Sequence, residues 1–154
     1  MKLIKVDKVA EVKLIYRTKV KPSDRIQVKQ SIDSYNIFMD RWNLDTLEYI
    51  EEFKILLLNR SNKVLGITTV SSGGTAGTVT DVRMILQYAL KANAMGIIIC
   101  HNHPSGCLNP SESDKKITQK IKEAAAIMDM QLLDHLIIIP GEITYYSFAD
   151  DGLM

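Results

Sequence analysis

The chain has 154 residues, enough for one domain with a real hydrophobic core, and its 19 basic and 18 acidic residues leave a net charge of +1. A balance so near neutral gives no bulk argument for a polyanion partner. Two cysteines, Cys100 and Cys107, are too few for a disulfide scaffold and fit a reducing interior, so a cytoplasmic location is expected.

Charges interrupt the apolar residues of Met1–Lys8 too often for a signal-peptide core, and no apolar run approaches the roughly 20 residues of a membrane span. A soluble chain is expected. There is no internal repeat, low-complexity segment or Gly/Ser linker. Residues 1–154 therefore read as one domain, with the first 50 or so as a short strand and helix extension.

In Glu11–Arg17, Val12, Leu14 and Tyr16 alternate with charged residues, the period of a half-buried strand. Ser23 and Asp24 are capping residues for a helix carrying Ile26, Ile32, Tyr35, Ile37, Phe38 and Trp42. Glu51–Asn59 reads as a strand opened by acids, followed by a turn to Lys63 and a second strand over Val64–Val70, a hairpin in outline. Parity places Glu51 on the face of Phe53, Ile55 and Leu57, and Glu52 on the face of Lys54. A carboxylate on the core side of a strand end is costly unless it has a partner or a task such as activating water. A solvated strand start is the plainer alternative.

Gly73, Gly74 and Gly77 lie between a strand and a helix, but neither the Gly-x-x-x-x-Gly-Lys pattern nor Gly-x-Gly-x-x-Gly is met. The stretch reads as a tight connection that can line a groove. Thr80-Asp81 opens a helix with Val82, Ile85, Leu86 and Ala89 at helical spacing, a stripe that Met84 and Tyr88 widen toward the core.

The chemistry concentrates in Cys100–Asp114. The apolar run Met95–Cys100 ends in His101-Asn102-His103, and two histidines one residue apart on an extended chain share a side. Pro104-Ser105-Gly106 stops the strand. Ser111 and Asp114 have the Ser-x-x-acid spacing of a helix start, which returns a carboxylate toward the imidazoles. The first helical turn favours its ionised form. Two imidazoles and one carboxylate leave a tetrahedral cation one open position, as in catalytic zinc sites. A plain capping box is the alternative for Ser111 and Asp114, and the two roles are compatible.

The following helix buries Ile117, Ile121, Ala124, Ala125 and Met128 and leaves Lys115, Lys116, Lys120 and Lys122 outside, read as a solvated face. Gln131–Pro140 is an apolar strand interrupted by Asp134-His135, and Pro140-Gly141 turns into a last strand over Ile143–Phe148. A buried Asp-His pair is more often structural, although His135 is also placed to orient a metal-binding imidazole.

His101-x-His103, seven residues, then Ser111-x-x-Asp114 resembles the JAMM (MPN+) metalloprotease motif. His-Asn-His-Pro-Ser-Gly, the Pro-Ser before the acid, and Leu132-Leu133-Asp134-His135 resemble its bacterial RadC-like branch, over about Glu51 to Gly152. The resemblance implies an α/β fold, an α-β-α sandwich with a mixed sheet similar to the cytidine deaminase architecture. It also implies one zinc ion on His101, His103 and Asp114, Glu51 as general base with Glu52 as fallback, and Ser111 as oxyanion donor. Deaminase chemistry is not implied, since His-x-Glu and Pro-Cys-x-x-Cys are absent.

The expected function is zinc-dependent hydrolysis of a peptide or isopeptide bond, with the substrate and any oligomeric partner unspecified. Two rivals stand beside it. One is a metal-dependent nuclease or DNA-repair-associated hydrolase, prompted by the repair label attached to RadC-like proteins. The other is a non-enzymatic module whose site is closed by Cys100 or Cys107. An Fe(II) triad uses the same donor types but usually in His-x-acid order.

Overall fold

The computed structural model describes residues 17–73 and 79–154. Within them five strands form one sheet: β1 (Glu52–Leu58), β2 (Val64–Ser72), β3 (Gly96–Asn102), β4 (Gln131–Ile138) and β5 (Tyr145–Ser147). Their order is β2-β1-β3-β4-β5. Among these described strands only β3 and β4 pair in parallel, so the sheet is mixed. Among the described residues three α-helices accompany it: α1 (Ser31–Asp40), α2 (Val82–Lys91) and α3 (Glu112–Ile127). A parallel pair needs a crossover, and α3 supplies it between β3 and β4.

Helices cover both faces of the sheet. On one, Ile85 and Ala89 of α2 and Ile121 and Ala125 of α3 pack on Phe53, Ile55, Leu57, Ile97 and Ile99. On the other, Tyr35 and Phe38 of α1, with Trp42 and Leu47, pack on Leu56, Leu58, Ile98, Cys100, Leu136 and Ile138. Strands buried on both faces need apolar residues at successive positions, which is why β1 and β3 read as continuous runs. Truncating Ile99, which is fully buried, to Ala is expected to cost about 2–5 kcal/mol. The result is the α-β-α arrangement expected from the sequence. Among the described residues no helix is long and apolar enough to cross a membrane.

Several local expectations change. The Glu11–Arg17 strand lies outside the described residues, apart from its last position. The first long helix starts at Ser31, not after Asp24, and Pro22–Asp24 forms only a short 3-10 turn. Between them the chain is tied in extended form to the β1–β2 turn, with Val28 N–H donating to Asn62 O and Val64 N–H to Ile26 O, both at 2.9 Å. Ile26 consequently faces solvent, and the acid at the helix start is Asp33, whose carboxylate accepts from the backbone of Lys29 and Gln30.

Met84 and Tyr88 lie at the surface rather than in the core, each 37% exposed. They occupy the row beside Ile85 and Ala89, and the apolar stripe of α2 is wider than the face it packs. Met128 is also exposed. It caps the end of α3, and Asp129 at φ +55° reverses the chain so that Met130 enters the core instead.

Candidate metal centre

β3 is the middle strand, and its register decides where the first histidine goes. His101 lies opposite Phe53 of β1, so it shares the α2/α3 face with Phe53 and is almost fully buried. Two residues on, His103 keeps that side while its N–H bonds Ile138 O at 2.9 Å, prolonging the pairing with β4 just past the strand end. Gly106 then turns the chain at φ +79°, a conformation that suits glycine. Ser111 caps α3, and its Oγ accepts from Asp114 N–H at 3.1 Å while the Asp114 carboxylate accepts from Ser111 N–H at 2.7 Å. This reciprocal box holds Asp114 against the histidines.

The three donors converge. His101 Nε2 lies 2.8 Å from His103 Nε2 and 3.1 Å from Asp114 Oδ1, and His103 Nε2 lies 3.5 Å from Asp114 Oδ2. A tetrahedral zinc with bonds of 2.0–2.2 Å separates its ligand atoms by roughly 3.4 Å. The donor types and spacing therefore suit one divalent ion, and all three ligand atoms fit within 4.8 Å of one another.

Electrostatics favour the same assignment. Burial raises the Asp114 pKa, but hydrogen bonds from His101, His103 and Ser111 overcome it and hold the carboxyl well below the usual range. It is ionised. For His103, burial favours the neutral ring, yet the hydrogen bonds to Asp114 and to the Cys107 carbonyl, with Glu51 nearby, raise its pKa on balance. Its Nδ1 sits 2.6 Å from Cys107 O, which accepts only and so fixes the proton on Nδ1 and presents Nε2 to the cluster.

The cluster opens into a cleft of about 530 Å³ walled by Phe53, Val79, Thr80 and Ile117. Glu51 and Ser111 line the same cleft. Glu52 does not; its carboxylate lies 3.4 Å from Lys54 Nζ. Residues 74–78 of the glycine-rich connection are outside the described residues. Neither thiol joins the cluster: Cys100 is buried on the α1 face and Cys107 is exposed.

Asp134 and His135 part company. Asp134 accepts from Ser147 Oγ at 2.7 Å and from Ala149 N–H at 3.0 Å, while His135 Nε2 lies 2.8 Å from His101 Nδ1. Adjacent strand residues face opposite ways, and a register shift in β3–β4 at Ile97/Ile98 sets which one meets the histidines. Two supporting residues escaped the sequence reading. Thr118 contacts His135, and its only sequence signal is its place four residues after Asp114 on one helix face. Asn102, between the histidines, faces the other way and holds the segment before β1.

These features define an α/β domain with a His-His-Asp cluster that could hold a metal ion, in a cleft at the end of its central strand. The family model described as RadC-like JAB domain matches residues 28–153, and the chain belongs to that family. It is 55% identical over 103 residues to a UPF0758 protein of Flavobacterium johnsoniae, covering 67% of this chain and 44% of that protein. It is 45% identical over 104 residues to a UPF0758 protein of Porphyromonas gingivalis, covering 68% of this chain and 45% of that protein. The UPF0758 protein YfjY of Escherichia coli is 40% identical over 104 residues, covering 68% and 64% respectively. The match thus spans about half the length of the first two relatives.

Proposed function

We propose that this chain is the catalytic domain of a zinc-dependent hydrolase acting on peptide or isopeptide bonds. The observation that carries the reading is the convergence of His101, His103 and Asp114 beside Glu51 in one open cleft. Family membership supports metal-dependent hydrolysis as the class. The two free cysteines suit a reducing, cytoplasmic setting.

His101 Nε2, His103 Nε2 and the Asp114 carboxylate would hold the ion. When bound, it supplies Lewis-acid chemistry, polarising a carbonyl and lowering the pKa of a water toward about 7. Glu51 takes a proton from the attacking water at its carboxylate and returns it to the leaving amine, a task that needs reach into the cleft and no metal contact. Ser111 spends its hydroxyl proton on Asp114 Oδ2 at 2.7 Å in the resting site. In the reaction it turns that proton to the oxyanion, with Ser111 N–H still holding Asp114. Phe53, Val79 and Ile117 give the cleft an apolar wall against which a substrate displaces water.

A peptide-library digest with and without chelator, run beside labelled duplex DNA, tests the proposal. Chelator-sensitive peptide cleavage with intact DNA is expected. Metal- and Glu51-dependent DNA hydrolysis would replace it with the nuclease reading.

A further inference from the structure

We infer that Thr118 and His135 are positioning residues that fix His101 in the one tautomer able to hold a metal. The inference rests on the metal-site reading above.

The assignment follows from counting protons. Thr118 Oγ1 lies 2.6 Å from the backbone oxygen of Asp114, which can only accept, so the single hydroxyl proton points there. The same Oγ1 lies 2.6 Å from His135 Nδ1. With its proton committed, the oxygen accepts, and His135 Nδ1 must carry hydrogen. His135 is fully buried, and its ring meets no carboxylate: Asp134 bonds Ser147 and Ala149 instead. An imidazolium there would be a buried charge with no carboxylate in contact, which is expensive. The ring is neutral, and its Nε2 is bare.

That bare nitrogen lies 2.8 Å from His101 Nδ1. His101 therefore donates from Nδ1, so Nε2 is the nitrogen that faces His103 and Asp114 and the one a metal would take. The opposite tautomer would aim an N–H into the ligand position. Each proton in the series has one place to go, and the series ends at Asp114, itself a ligand. It ties β3, β4 and α3 into one ring around the site.

Aromatic neighbours fix the ring planes. Phe148 stacks on His135 with centroids 4.5 Å apart and planes 14° apart, and Phe53 lies 6.0 Å from His101 at 12°. Thr118 itself is almost fully buried. A threonine that merely bonded back along its helix would need no imidazole at its oxygen.

The test has two readouts. Two-bond nitrogen–hydrogen NMR correlations on the metal-free parent chain read the tautomers, and competition with a chromophoric chelator reads zinc affinity. The expected result is hydrogen on Nδ1 of both His101 and His135, with His135 Nε2 bare. Thr118→Val, which keeps shape and removes the hydroxyl, should weaken zinc binding about 10–100-fold, and Thr118→Ser should restore most of it. A bare Nδ1 on His101, or parental zinc affinity in Thr118→Val, overturns the inference. A parent chain that binds no zinc overturns the hydrolase reading instead, and the NMR spectrum still decides the tautomer.

Discussion

Asn102 holds Glu52 by its backbone, with Asn102 Oδ1 accepting from Glu52 N–H at 2.8 Å. Its amide donates to Leu47 O at 2.9 Å and Ile50 O at 2.8 Å. The residue between the two histidines thus pins the segment that carries Glu51, so one strand end positions both the ligands and the proposed base. Asn102→Leu would leave a buried N–H and two carbonyls unpaired, and should cost about 2–3 kcal/mol in urea unfolding. Turnover should fall more than zinc affinity, because the ligands stay on β3 and α3 while Glu51 drifts.

Glu51→Gln should keep zinc bound and lower peptide cleavage about 10²–10⁴-fold, the usual worth of a positioned general base. Glu52→Gln should change cleavage by no more than a few-fold, since that carboxylate faces Lys54. Steady-state kinetics with elemental analysis of both variants checks the pair. The reverse ranking would move the base to Glu52.

Ser111→Ala should cost ~1 kcal/mol of stability through loss of the α3 cap. If the hydroxyl also donates to the oxyanion, cleavage should fall about 10²–10³-fold, far more than a loss of capping explains. Denaturation and kinetics on the same preparation separate the two roles.

On the proposed reading, zinc and protons would compete for His103. Its pKa is raised above 6.5 in the metal-free chain, so the stability its protonated form gives is full below 6.5 and is lost as pH rises through the raised value. Asp114 works the other way. Its pKa is depressed, so its contribution is present above the ordinary carboxylate range and changes little near neutrality. Zinc affinity should therefore climb with pH through the His103 titration, by roughly tenfold per unit for one proton released, and level off above it. A chelator competition series from acid to mildly alkaline pH measures this.

The convergence of His101, His103 and Asp114 was legible because strand parity and a capping box are local rules: His101 and His103 share a side, and Ser111 pulls Asp114 back. Parity also separated Glu51 from Glu52, which line the cleft and face Lys54 respectively. What stayed hidden depends on contacts across elements. Thr118 carries no charge and resembles any helical threonine until β4 brings His135 to it. The pairing of residues 26–28 with the hairpin turn overrode the capping signal at Ser23 and Asp24, and no local pattern announces it. Met84, Tyr88 and Met128 are apolar at helical spacing, but the first two lie beside the packed row of α2 and Met128 caps the end of α3, so all three are exposed.

Anomalous diffraction at the zinc edge from crystals soaked in zinc addresses the central claim most directly. The account predicts one strong peak per chain within bonding distance of His101 Nε2, His103 Nε2 and an Asp114 oxygen, with a fourth position facing the cleft beside Glu51. No peak among those side chains, or a peak whose coordination is closed by Cys100 or Cys107 sulfur, would contradict it.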